Sequence, residues 1–191
     1  MNLLAMKRTL AGALALSGMV LLLLQPAGAS ANCDGGEYGG VTAAEPSCSA
    51  TVPGAKAKLV EGVAVAPASA PAAIKKVIQA ANRIRTKPYV WGGGHGRWWD
   101  KGYDCSGAVS YALRGAGLLS TPLDSTGLMS WGEAEAGKWI SVYANAGHTY
   151  AVIAGLRWDT AGSTKGTGPR WYTNTASVVK GKFAVRHPIG Y

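Results

Sequence analysis

The apolar positions fall into two helical patterns followed by a run of short strands. Ala73, Ile74, Val77, Ile78, Ala81 and Ile84 lie near helical spacing, with Lys75, Lys76, Gln79 and Arg83 between them. This predicts an amphipathic helix of about three turns. Pro88 and the Gly92-Gly93-Gly94 run stop it and make a loop. Asp104-Cys105-Ser106-Gly107 then opens a second helix, through about Arg114, with Ala108, Val109, Tyr111, Ala112 and Leu113 on a mostly apolar face. Gly115 and Gly117 end it. After Gly137 the period changes. Trp139–Tyr143, Thr149–Ala154, Leu156–Thr160 and Phe183–His187 read as strands, with Gly155 at a tight turn or bulge. Helices first and strands afterwards predict an α+β fold with an antiparallel sheet.

The N-terminal pattern is different. Lys7 and Arg8 precede an apolar run from Leu10 to about Leu24, and Ala29-Ser30-Ala31 follows. These are the parts of a secretory signal peptide over residues 1–31, cleaved after Ala31. The competing reading is a retained anchor. The run is short for one, and Gly12, Ser17 and Gly18 interrupt it. No other stretch is long and apolar enough to span a bilayer, so the exported chain is expected without a stable membrane span. Cys33 follows Asn32, too large and polar for lipoprotein processing. Residues 32–71 are rich in Gly, Ala, Ser, Pro and Thr and predict a linker segment or a pinned loop, not core.

Composition sharpens this picture in two ways. Of 191 residues, 48% are hydrophobic, enough for a sizeable core. The formal charge of +9 becomes +7 once Lys7 and Arg8 leave with the signal. The positive charges are scattered, so anionic cell-wall polymers are better partners than nucleic acid. The cysteine count is odd. Cys33 and Cys48 share the polar N-terminal segment, where a local disulfide is plausible in an exported protein. Cys105 is left unpaired.

The surroundings of Cys105 suit a reactive thiol. A helix start carries partial positive charge and free N–H groups. It lowers a thiol pKa and holds an oxyanion. Such a nucleophile wants a histidine. His148 follows Asn145-Ala146-Gly147 and opens a strand, where it can face a helix N-terminus packed on the sheet. His95 lies in a glycine loop, a drawback for a base, and His187 precedes Pro188 as an ordinary packed or surface histidine. Asp159, on the next strand, is either the third group that orients the imidazole or a turn aspartate. A metal site using Cys105 and His148 lacks paired ligand spacing.

Tyr89-Val90-Trp91-Gly92-Gly93, then Asp104-Cys105-Ser106-Gly107, then Gly147-His148 before an apolar strand resemble the NlpC-type cysteine peptidases, from about residue 73 to 191. The resemblance implies a papain-like fold over residues 72–191 and a secreted or wall-associated hydrolase. The bond it implies is an amide of peptidoglycan stem peptides, commonly between D-glutamate and the diamino acid. It implies Cys105 as nucleophile and His148 as base, with Asp159 near the third polar position. Asp104 and Ser106 match positions that help hold the free amino end of the stem, and Tyr89 matches a tyrosine lining the cleft. No metal or organic cofactor is required. Two departures stand out. Gly137–Tyr143 replaces the family's usual strand before the histidine, and the Gly94–Tyr103 loop carries His95, Arg97, Trp98, Trp99 and Lys101. Its tryptophans either cap the core or bind glycan. An amidase or acyltransferase with the same pair, and a non-catalytic wall-binding module, are the rival readings.

Overall fold

A computed structural model describes residues 50–162 and 167–191. The expected signal peptide and the expected Cys33–Cys48 pairing lie outside these residues. The described elements are β1 (Lys58–Val60), β2 (Val63–Val65), α1 (Ala72–Ile84), α2 (Cys105–Arg114), α3 (Ser125–Leu128), β3 (Glu133–Ala134), β4 (Ile140–Asn145), β5 (His148–Ile153), β6 (Leu156–Asp159), β7 (Arg170–Tyr172) and β8 (Ala184–His187). A six-stranded antiparallel sheet, ordered β3-β8-β4-β5-β6-β7, packs with α1 and α2 around one core, and β1-β2 is a separate hairpin. The fold is α+β, as the pattern predicts. Among the described residues no helix is long and apolar enough to cross a membrane.

The two helices form where their apolar stripes require. On α1, Ile74, Val77, Ile78, Ala81 and Ile84 are buried at i, i+3, i+4, i+7 spacing. On α2 the small residues Ser106, Gly107, Ala108 and Ala112 are all buried, so the helix backbone can approach the sheet closely. Trp158 of β6 is fully buried, and its indole N–H donates to the Ala108 carbonyl of α2 at 3.0 Å. Its ring lies 4.9 Å from that of Trp171 on β7.

Residues 50–71 depart from the expected spacer. Lys58↔Val65, Leu59↔Ala64 and Val60↔Val63 pair as a hairpin, and Ala57, Ala64, Ala66 and Ala70 join the core. Its turn is Glu61-Gly62, both residues in the left-handed region at φ 49° and 80°. That backbone matches the twist of a two-residue hairpin. The alanines that resemble linker composition are buried core residues here. Asn82 of α1 fixes the contact. Its Nδ2 donates to Ala64 O at 2.9 Å, and its Oδ1 accepts from Ala64 N at 3.1 Å and Trp171 Nε1 at 2.9 Å. One amide thus copies strand pairing to β2 and also ties down β7.

Asn82→Ala leaves a backbone N–H, a carbonyl and an indole N–H without these partners. Denaturant unfolding is expected to show a loss of about 1–3 kcal/mol, with hydrogen exchange rising first across residues 58–65.

Candidate active site

The site begins with the cap of α2. Asp104 is extended (φ −83°, ψ −175°), and its carboxylate accepts from Gly107 N at 2.7 Å. Cys105 is therefore the first helical residue. The cap uses the third amide of the turn and leaves those of Cys105 and Ser106 without an intrahelical partner. Gly107 must be glycine for a second reason. A Cβ there would run into the Gly93 carbonyl oxygen, so the absence of a side chain lets the 92–94 loop lie against the helix start.

The sheet delivers the imidazole. Asn145↔His148 closes the β4–β5 hairpin, and Asn145 Oδ1 accepts from Gly147 N and His148 N, both at 2.9 Å. The β5–β6 register pairs Ala151 with Trp158. Continued by one residue, it sets Asp159 opposite Tyr150 and diagonal to His148 on the same side. His148 Nε2–H donates to Asp159 Oδ1 at 2.9 Å, and both side chains are buried. Asp159 Oδ1 also accepts from Ala161 N at 2.8 Å, and Oδ2 from Ser177 Oγ at 2.9 Å. With Nε2 committed to the carboxylate, Nδ1 is the nitrogen left for the thiol.

The thiol and imidazole favour their charged forms together. Burial pushes the Cys105 pKa up, but hydrogen bonds from His148 and Ser125, the His148 charge and the Thr149 N–H outweigh it and leave it lowered. Burial pulls His148 down, yet its bonds to Asp159 and Cys105 and their negative charges carry it to about 9. Ser125 Oγ lies 3.7 Å from the sulfur. Arg157, almost fully buried, places Nε 3.4 Å from Asp159 Oδ2 and its guanidinium 4.5 Å from the Tyr172 ring centroid. Its Nε and Nη1 have no hydrogen-bond partner among the described residues.

Of the six residues expected from the sequence, the structure links Cys105, His148 and Asp159 to one another and Asp104 to Ser106 at the same helix start. Burial raises the Tyr89 phenol pKa, and the charges of Cys105 and Asp104 add to that. Ser106 is buried and bonds Asp104 Oδ1 at 3.2 Å. His95, discounted as a base because of its loop, joins this group: its Nε2 lies 3.0 Å from Asp104 Oδ1 and 3.2 Å from Ser106 Oγ. His187 is structural, bonded to Glu135 O at 3.0 Å and 3.2 Å from Glu133. Trp98 lies under Arg114 and Trp99 under Lys87, at 4.7 and 4.4 Å from the ring centroids. Sequence reasoning missed Ser125, Ser177, Arg157 and the role of His95. Only Ser125 carried a signal. Asp124-Ser125-Thr126-Gly127 repeats the Asp-x-x-Gly cap of Asp104–Gly107, with the same 2.7 Å bond.

No family model and no curated protein sequence matches the chain. Among solved structures it is similar to the peptidoglycan hydrolase RipB from Mycobacterium tuberculosis, at TM-score 0.47 and 25% identity, over 62% of this chain and 66% of that one. It is also similar to two forms of the resuscitation promoting factor interacting protein RipA, one altered at a glutamate and one at a cysteine. These have TM-scores 0.43 and 0.44 and identities 22% and 21%, over 60% of this chain and 61% and 62% of theirs. The chain thus spans just under two thirds of the length of these structures.

A titration follows from the coupled shifts. Cys105 is expected to react with iodoacetamide below the ordinary thiol pKa of 9.0. The charged imidazole is present below about pH 9 and is lost as pH rises through that value. Asp159→Asn removes the first cause that raises it. The His148 titration, followed by NMR, should move to lower pH, and alkylation of Cys105 at pH 6 should slow. An unmoved titration would break the assigned coupling.

Proposed function

We propose that this chain is an exported cysteine peptidase that hydrolyses an amide bond in peptidoglycan stem peptides. The carrying observation is a thiol at the start of a helix, electrostatically coupled to a buried histidine whose other nitrogen is bonded to an aspartate. A buried structural cysteine needs none of these partners. The wall substrate rests on the order of the three motifs and their resemblance to NlpC-type peptidases, and the net positive charge suits an acidic wall. The bond between D-glutamate and the diamino acid is the expected one. We assign residues 1–31 to a signal peptide and place the catalytic domain at residues 72–191. The 50–71 hairpin packs against that domain.

The reaction divides into two acyl transfers. The Cys105 thiolate attacks the amide carbon, and the carbonyl oxygen becomes an oxyanion held by the free amides at the α2 start. His148, carrying the thiol's proton, protonates the departing amine as the C–N bond breaks, which leaves a thioester on Cys105. Water then attacks the thioester carbon. His148 takes its proton and returns it to the sulfur as the C–S bond breaks. Asp159 holds the ring orientation through both steps.

Purified protein lacking residues 1–31 is expected to release a new peptide from peptidoglycan or from defined stem peptides, read by mass spectrometry. Cys105→Ala should release none. Asp159→Asn should lower the rate by about a hundredfold, the scale of a positioned acid–base group. Cleavage by the Cys105→Ala variant would refute the assignment of the nucleophile. No product from any wall type would count against the peptidase reading.

A further inference from the structure

The anionic group beside the nucleophile already accepts from four donors. Asp104 Oδ1 accepts from Gly107 N at 2.7 Å, His95 Nε2 at 3.0 Å and Ser106 Oγ at 3.2 Å, and Oδ2 accepts from Gly92 N at 3.1 Å. Oδ1 thus carries three donors on its two lone-pair positions, and Oδ2 carries one. Access points the same way. The Asp104 side chain is 12% exposed, whereas that of His95 is 26% exposed. The group presented to the cleft is an imidazole whose Nε2–H is spent on Asp104. Its Nδ1 can accept from an amide N–H. It offers no negative charge to an ammonium group, and a doubly protonated ring repels one.

A second observation lies one residue from the Gly92 amide. Trp91 is 86% exposed, next to the exposed Val90. Trp98 and Trp99 each have a cation over the ring, but among the described residues no ring or cation stacks on Trp91. A bare indole face beside a polar cleft suits the apolar face of a sugar.

We propose that His95 is a specificity-determining residue that closes the Asp104–Ser106 pair to a free amine, so that the site takes stem peptides still acylated by their glycan, with the sugar resting on Trp91. This rests on the stem-peptide reading and replaces the free-amine role that the resemblance implies for Asp104 and Ser106.

Three substrates test it on the purified full mature chain. One is the stem tripeptide with a free amino end, the second its N-acetyl form, and the third its N-acetylmuramyl form. Wild type is expected to cut both acylated forms with kcat/KM about tenfold or more above the free-amine form, the scale of one charge-assisted contact. The muramyl form should exceed the acetyl form, and Trp91→Ala should narrow that gap. In His95→Ala the free-amine form should gain on the acetyl form through KM. His95→Gln, which retains a donor for Asp104, should keep the wild-type ranking. A wild type that cuts the free-amine form as well as the others would overturn the proposal, as would an unchanged ratio in His95→Ala. If none of the three is cut while Cys105 still alkylates as a thiolate, the stem-peptide reading itself fails and this inference falls with it.

Discussion

The indole of Trp158 sets the distance between helix and sheet on which the site depends. It is fully buried in β6, stacks near Trp171 and donates its only polar hydrogen to the Ala108 carbonyl of α2. That bond fixes the first turn of α2 over the strand that also carries Asp159. Small buried residues on α2 allow the approach. Cys105 and His148 belong to different elements, so their coupling depends on this packing being rigid.

The electrostatics form a chain of alternating sign. A Cys105 thiolate, a His148 imidazolium, the Asp159 carboxylate and the Arg157 guanidinium follow one another into the core. Each charge would be costly to bury alone, and each is opposed by its neighbour. Arg157 matters because an unneutralised buried aspartate behind the histidine would oppose the thiolate in front of it. It acts through its charge beside Asp159 Oδ2 and through stacking on Tyr172. Asp104 poses a similar problem next to Cys105. There the solution is hydrogen bonding, with four donors spreading its charge.

Local chemistry is what made α1, α2 and the central strands legible. Their stripes are long, and their stops are glycines and prolines that act within a few residues. The same logic located Cys105 at a helix start and His148 at a strand start. It failed for the 58–65 hairpin because Glu61-Gly62 is not one of the strong turn pairs and the alanines around it resemble linker composition. It also missed β3 and β7, which are two and three residues long and exist only as partners of β8 and β6.

The sequence by itself determined the α+β class, the residue types able to do the chemistry and the elements that would carry them. These depend on periodicity, capping and neighbours within one turn. Only the tertiary structure decided that Asp159 meets His148, that Ser125 reaches the sulfur, and that Arg157 lies behind the pair. It also decided that His95 covers Asp104. The Asp159 contact rests on strand register, the Ser125 contact on where α3 sits and the His95 contact on how its loop folds over α2. A one-residue slip in the β5–β6 pairing would turn Asp159 to the other face without changing any local pattern.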